Sequence, residues 1–169
     1  MQKDIQSSWF SVKVSGGDAF KKRLQEMQKS IEKSKSVDVG WDENAKYEDG
    51  KRIALVAYVQ EFGNDENRYL NTPNGTPAPI PPRPFFRGLV VDKKASWGGE
   101  IATKLQESNF DSNKALNEVG KMVGEQLKDK IIGFNSPRNS ELTIELKGFD
   151  CPLVDSGEMA DTIGHWVDK

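Results

Sequence analysis

Cys151, Asp155 and His165 lie close together near the end of the sequence, and they are the residue types of a thiol nucleophile, an orienting carboxylate and a general base. The thiol sits in Phe149-Asp150-Cys151-Pro152, with no helix start directly after it to lower its pKa. A small cytosolic hydrolase using Cys151 is therefore the remotest of the readings. One Cys and one His cannot supply the ligands of a structural zinc site. The carboxylates Asp38, Asp42 and Glu43 read as solvated positions on or after a strand, and neither a Gly-rich phosphate loop nor a GxSxG nucleophile turn occurs. No catalytic residue, metal or cofactor is expected.

The other chemistry on offer is binding. Arg83, Phe85, Phe86 and Arg87 put aromatic and guanidinium groups on a segment stiffened by Pro81, Pro82 and Pro84, which loses little conformational entropy on docking. Aromatic residues and Arg are the types enriched at interface centres. Glu61, just before Phe62-Gly63, can pair with Arg83 or Arg87 in its own chain or in a neighbour's. Glu61, Phe62, Arg83, Phe85, Phe86 and Arg87 are thus the interface candidates. The plainer alternative puts both Phe rings in the core, the arginines in water and Glu61 exposed at a helix end.

These residues need elements to hold them. Residues 53–62 are apolar on nearly every side, and their length with the stop at Gly63 predicts a helix. Pro84 suits the first position of a second helix carrying Phe85, Phe86, Leu89 and Val90 inward, with Gly98-Gly99 a weak point. Asp18 suits an N-cap for a helix to about Lys33, with Phe20, Leu24, Met27 and Ile31 on one face. Leu116, Val119, Val123, Leu127 and Ile131 form the stripe of a long helix from about Ser112 to Gly133, capped by Asp111 or Ser112, where Gly120 and Gly124 admit a close neighbour. A short helix over 141–147 stops at Gly148. The turn 152–157 leads into a last helix over 158–163, with Asp155 or Ser156 capping it at Gly157 and Leu153 stapling it to the body. Alternation predicts strands at 9–15, at 37–41 and at 165–167.

The chain has 169 residues, 24 Lys and Arg against 26 Asp and Glu, and a formal net charge of -2. At about 150 residues per domain this predicts one domain over 1–169. The fold class expected is α+β, a small antiparallel or mixed sheet packed against three or more helices. One long polar loop or arm runs from 64 to 79, rich in Asn, Pro, Gly and Thr. A hydrophobic fraction of 36% makes a lean core, of the kind that borrows burial from neighbours. The charge balance disfavours a dedicated nucleic-acid binder. No apolar run approaches the ~18 residues of a membrane span, and the opening residues are too polar for a signal peptide, so use in the cytosol is expected.

Two stretches carry a resemblance. Val56-Ala57-Tyr58-Val59-Gln60-Glu61-Phe62-Gly63 with Ile80-Pro81-Pro82-Arg83-Pro84-Phe85-Phe86-Arg87, and then Thr143-Ile144, Lys147-Gly148 and Pro152-Leu153-Val154-Asp155-Ser156-Gly157-Glu158-Met159, resemble the signature of the tail-completion (neck) proteins of long-tailed bacteriophages. The likeness spans about residues 37 to 167. The stretch 64–79 departs from it, being longer than the few residues expected there. The resemblance implies a structural virion protein of the neck, present in the host cytoplasm during assembly. Such a protein forms a ring with copies of itself, expected to be sixfold. It meets head-completion or connector proteins on one side and a tail terminator or tail tube on the other, with DNA only passing through and no membrane involved. A tail terminator capping the tube is the alternative.

Overall fold

The computed structural model describes residues 17–33, 36–64 and 79–168. The predicted strand at 9–15 and most of the 64–79 loop lie outside them. The order is α1 (Gly17–Lys33), β1 (Val37–Gly40), α2 (Ile53–Phe62), α3 (Phe85–Glu107), α4 (Ser112–Ile132), α5 (Glu141–Lys147), α6 (Glu158–Asp161) and β2 (Gly164–Val167). The fold is α+β: the two strands pair antiparallel, Val37 opposite Val167 and Gly40 opposite Gly164.

The long helices α3 and α4 form a hairpin. Its turn passes through Asn109 and Phe110, both in the left-handed region, and Asp111 caps α4 by accepting the Lys114 N–H at 3.1 Å. Across the hairpin Trp97 Nε1 donates to Gln126 Oε1 at 3.0 Å, and Lys130 pairs with Asp92 at 2.8 Å. Gly98-Gly99 does not interrupt α3, since the helix runs unbroken through both. The core gathers Ile53 and Ala57 of α2, Phe85 and Leu89 of α3, Leu127 and Ile131 of α4, and Leu153, Met159 and Ala160 from the closing segment.

The sheet lies on α4 where Gly120 and Gly124 thin it. A Cβ at Gly120 would come within 2.7 Å of the His165 ring and 2.8 Å of Val37 Cγ2, so only glycine lets the strands come this close. Trp41, just past β1, donates from Nε1 to the Met159 carbonyl at 2.7 Å and meets Phe85 edge-on at 6.3 Å.

Two expectations fail at α1. Asp18 lies in its first turn, the helix beginning at Gly17. The apolar stripe is only partly covered: Phe20 is 67% and Leu24 47% exposed. The reason is that among the described elements α1 packs chiefly against α4; of that stripe Met27 is half-buried, and the Ile31 side chain lies outside the described residues. Where α1 meets α4, Ser112 N–H donates to Ser30 Oγ at 3.1 Å, and the Ser112 hydroxyl donates to the Ser30 carbonyl.

Candidate functional site

The Glu61-Phe62-Gly63 and Ile80-to-Arg87 stretches pack on each other. Gly63 ends α2 at φ +76°, and a Cβ there would meet the Ile80 carbonyl at 2.8 Å and Pro82 N at 2.9 Å. One glycine thus serves both a left-handed backbone and a close crossing. Asn64 and Ile80 then exchange backbone hydrogen bonds at 3.0 Å each, and the Arg83 N–H donates to the Gln60 carbonyl at 2.7 Å. Pro84 takes the N-cap position rather than the first helical one, and α3 starts at Phe85.

Glu61, 5% exposed, closes the joint. Its Oε2 accepts the Phe86 N–H at 2.8 Å, and its Oε1 accepts the Arg87 N–H at 3.2 Å and Arg87 Nε–H at 2.7 Å. Arg87 Nη2 also donates to the Glu61 carbonyl at 3.0 Å. A carboxylate so placed satisfies the orphan donors of a helix start and answers its dipole. The cation facing Glu61 is Arg87, in the same chain.

Arg83 goes elsewhere. It is 7% exposed, and donates to the Gln60 side chain, to Asn139 Oδ1 at 3.2 Å and to the Pro137 carbonyl at 3.4 Å. All three acceptors are neutral, and burial draws the guanidinium pKa below its ordinary value, with Asp150 opposing that at longer range.

The six interface candidates therefore divide. Phe85, 1% exposed, is core and Arg83 is buried, so neither is presented to a partner; Phe86 is half-buried, which leaves Phe62 and Arg87 facing outward. Phe62 is 51% exposed and stacks with Tyr58, itself 61% exposed, at 4.8 Å between ring centres. The Arg87 guanidinium lies over the Phe62 ring at 4.7 Å. Beside them a groove of about 230 Å³ opens between Trp41, Tyr58, Phe62 and Phe86. Tyr58 was missed in the sequence, although its spacing of four from Phe62 on a helix was signal enough.

The closing motif is corrected in part. Leu153 is buried with Met159 and Ala160 as expected. The N-cap of α6 is Gly157 itself, left-handed at φ 89°, which has no side chain to cap with. Ser156 Oγ accepts the Glu158 N–H at 3.3 Å, whereas the charge of Asp155 acts on Tyr47. That hydroxyl is pushed up to about 12, first by burial and then by Glu158, Asp155 and Asp49.

Among the described residues no group of three or more His, Cys, Asp or Glu is arranged to hold a metal. His165 Nε2 hydrogen-bonds Asn117 on α4 at 3.0 Å, and the Cys151 carbonyl accepts from Lys147 Nζ at 2.9 Å. Among the described residues no hydrogen bond joins Cys151, Asp155 and His165 to one another. No described helix is long and apolar enough to cross a membrane. Set beside protein-family models, curated proteins and solved structures, the chain matches none of them.

Proposed function

We propose that the chain is a structural subunit of a phage neck, a tail-completion protein that forms a ring with copies of itself between head-completion proteins and the tail tube, and through which DNA passes. What supports this is the joint between α2 and α3: the two halves of the first motif that carries the resemblance, 56–63 and 80–87, lock together through Glu61, Gly63 and the start of α3. The locked joint presents Tyr58, Phe62 and Arg87 as a stiff aromatic face. Specific contacts bury about 800 Å² per partner and rest on a few aromatic and Arg anchors. A near-neutral chain, at -2, suits a passage for DNA rather than a grip on it.

The test is electron microscopy of tails of the encoding phage, purified without this protein and then mixed with it. Wild-type chain is expected to cap the tube ends with rings. The Tyr58→Ser, Phe62→Ser double variant, which changes exposed side chains and should melt as the wild type does, is expected to leave them bare. Bare ends with the wild type, or heads joining tails normally when the gene is deleted, would overturn the reading. Overlong tails after deletion would point to a terminator.

A further inference from the structure

On the opposite side of α2 from Tyr58 and Phe62, past Val56 and Gln60, lies a larger cleft of about 1000 Å³, the upper end of what ligand sites occupy. Its walls come from the turn at 47–51, the extended run 79–83, and the loops on either side of α5. Arg83 and Asn139, both buried, line one part of it.

That pair is incomplete. Arg carries five N–H donors and no acceptor, so the Asn139 atom facing it must be Oδ1, which fixes Nδ2 as the amide's other end. Asn139 Nδ2 is buried and has no hydrogen-bond partner among the described residues. Arg83 uses three donors on neutral oxygens and, among the described residues, has no carboxylate in contact. Buried cations are ordinarily paired, and buried donors ordinarily find acceptors. Asp150, whose charge acts on Arg83 without contact, is spent on Arg138 at 3.0 Å and on the Asn139 N–H at 3.1 Å. The missing group is an oxygen acceptor bearing negative charge.

Elsewhere the same cleft carries both signs: Glu48, Asp49, Asp155 and Glu158 line it with Tyr47, and so do Lys51, Arg138 and Lys147, the last donating from Nζ to the Cys151 and Val154 carbonyls. Asp49 is already paired with Lys51 at 2.7 Å, but among the described residues neither Asp155 nor Glu158 has a cation partner. Four carboxylates repel a phosphate backbone, which carries one sign throughout. A polypeptide can carry both signs.

We propose that this cleft is a docking groove for an extended segment of a partner protein, whose carboxylate seats at Arg83 and Asn139 and whose lysine or arginine seats at Asp155 and Glu158. The groove is separate from the aromatic face and does not rest on the assembly reading.

The test uses the full chain and fluorescence anisotropy with a labelled nonapeptide bearing lysines in one third and glutamates in the opposite third, spaced by Gly and Ser. Binding is expected, weakened at least tenfold when the glutamates of the peptide become Gln. Asn139→Asp, which is isosteric and supplies from within the carboxylate that the guest brings, is expected to weaken binding at least tenfold. The exposed pair Asp155→Asn and Glu158→Gln should weaken it several-fold, with far-UV circular dichroism confirming the fold in each case. No binding of the mixed-charge peptide, full affinity in correctly folded Asn139→Asp, or tighter binding of a single-stranded oligonucleotide than of the peptide would each overturn the proposal.

Discussion

Both oxygens of a carboxylate as deeply placed as Glu61 must be answered, and here two backbone N–H groups and one guanidinium answer them. The backbone donors are fixed by α3, whereas Arg87 is 56% exposed at its side chain and can return to water. Glu61→Ala should therefore cost about 2–3 kcal/mol by stranding those donors. Arg87→Ala should cost about 1 kcal/mol, because the carboxylate keeps its backbone partners. Urea unfolding of both variants checks the order. Tyr47 allows a second prediction. Its folded pKa is raised to about 12 from the ordinary 10.0, so the folded state holds the proton more tightly than the unfolded chain. Its contribution to stability is complete below pH 10 and drains away as pH rises toward 12. Tyr47→Phe should make the loss of stability over that window shallower, as read from melting temperatures, and tyrosinate absorbance should show one of the three tyrosines titrating late. Part of this site was legible in residue types. That Glu61 could pair with an arginine of the 80–87 stretch followed from charge, but not which arginine, nor whether in its own chain, nor that Glu61 would be buried rather than exposed at a helix end. Arg83 lies in the extended run before α3 and Arg87 in its first turn, and the choice rests on Gln60, Pro137 and Asn139, two of which arrive from far along the chain.

Glycine marks where the elements of this fold meet and where they do not. Gly63 needs its positive φ, and its missing Cβ is where Ile80 and Pro82 pass. Gly63→Ala should cost about 2–4 kcal/mol, strain and clash acting together on backbone atoms that cannot swing aside. Gly98 has nothing within 4 Å of an added Cβ. Gly98→Ala should instead raise stability by up to about 1 kcal/mol through helix propensity alone, and thermal melts of the two variants should move in opposite directions. The helices were legible because their apolar spacing is local. The same locality explains the misses: Gly98-Gly99 looked weak by propensity, yet Trp97 and the α4 ridge hold the helix across them. The cap before α6 was assigned to Asp155 or Ser156; Ser156 Oγ does accept the Glu158 N–H, but the N-cap position itself is a left-handed Gly157.

At the scale of the molecule, burial is uneven. The helix α4 touches α1, α3, α6 and both strands, while α1 leans on α4 and leaves Phe20 and Leu24 in solvent. Amide hydrogen exchange should accordingly find α4 the slowest element and α1 the fastest of the four helices of ten or more residues. Equal protection in both would mean that α1 is braced by more than the contacts described. The sheet's existence was readable from alternation at each end, but not its pairing, because nothing in a four-residue strand names a mate so distant. That distance has a consequence during synthesis. When β1 leaves the ribosome, the residues that will hydrogen-bond it, 164–167, have not been made. The nascent chain must carry an unmatched strand edge through the translation of α2, α3, α4 and α5, and α4 emerges with its glycine-thinned side bare. Closure of this fold is thus a late event, and a polypeptide arrested before residue 164 is left with a sticky seam that chaperones would be drawn to.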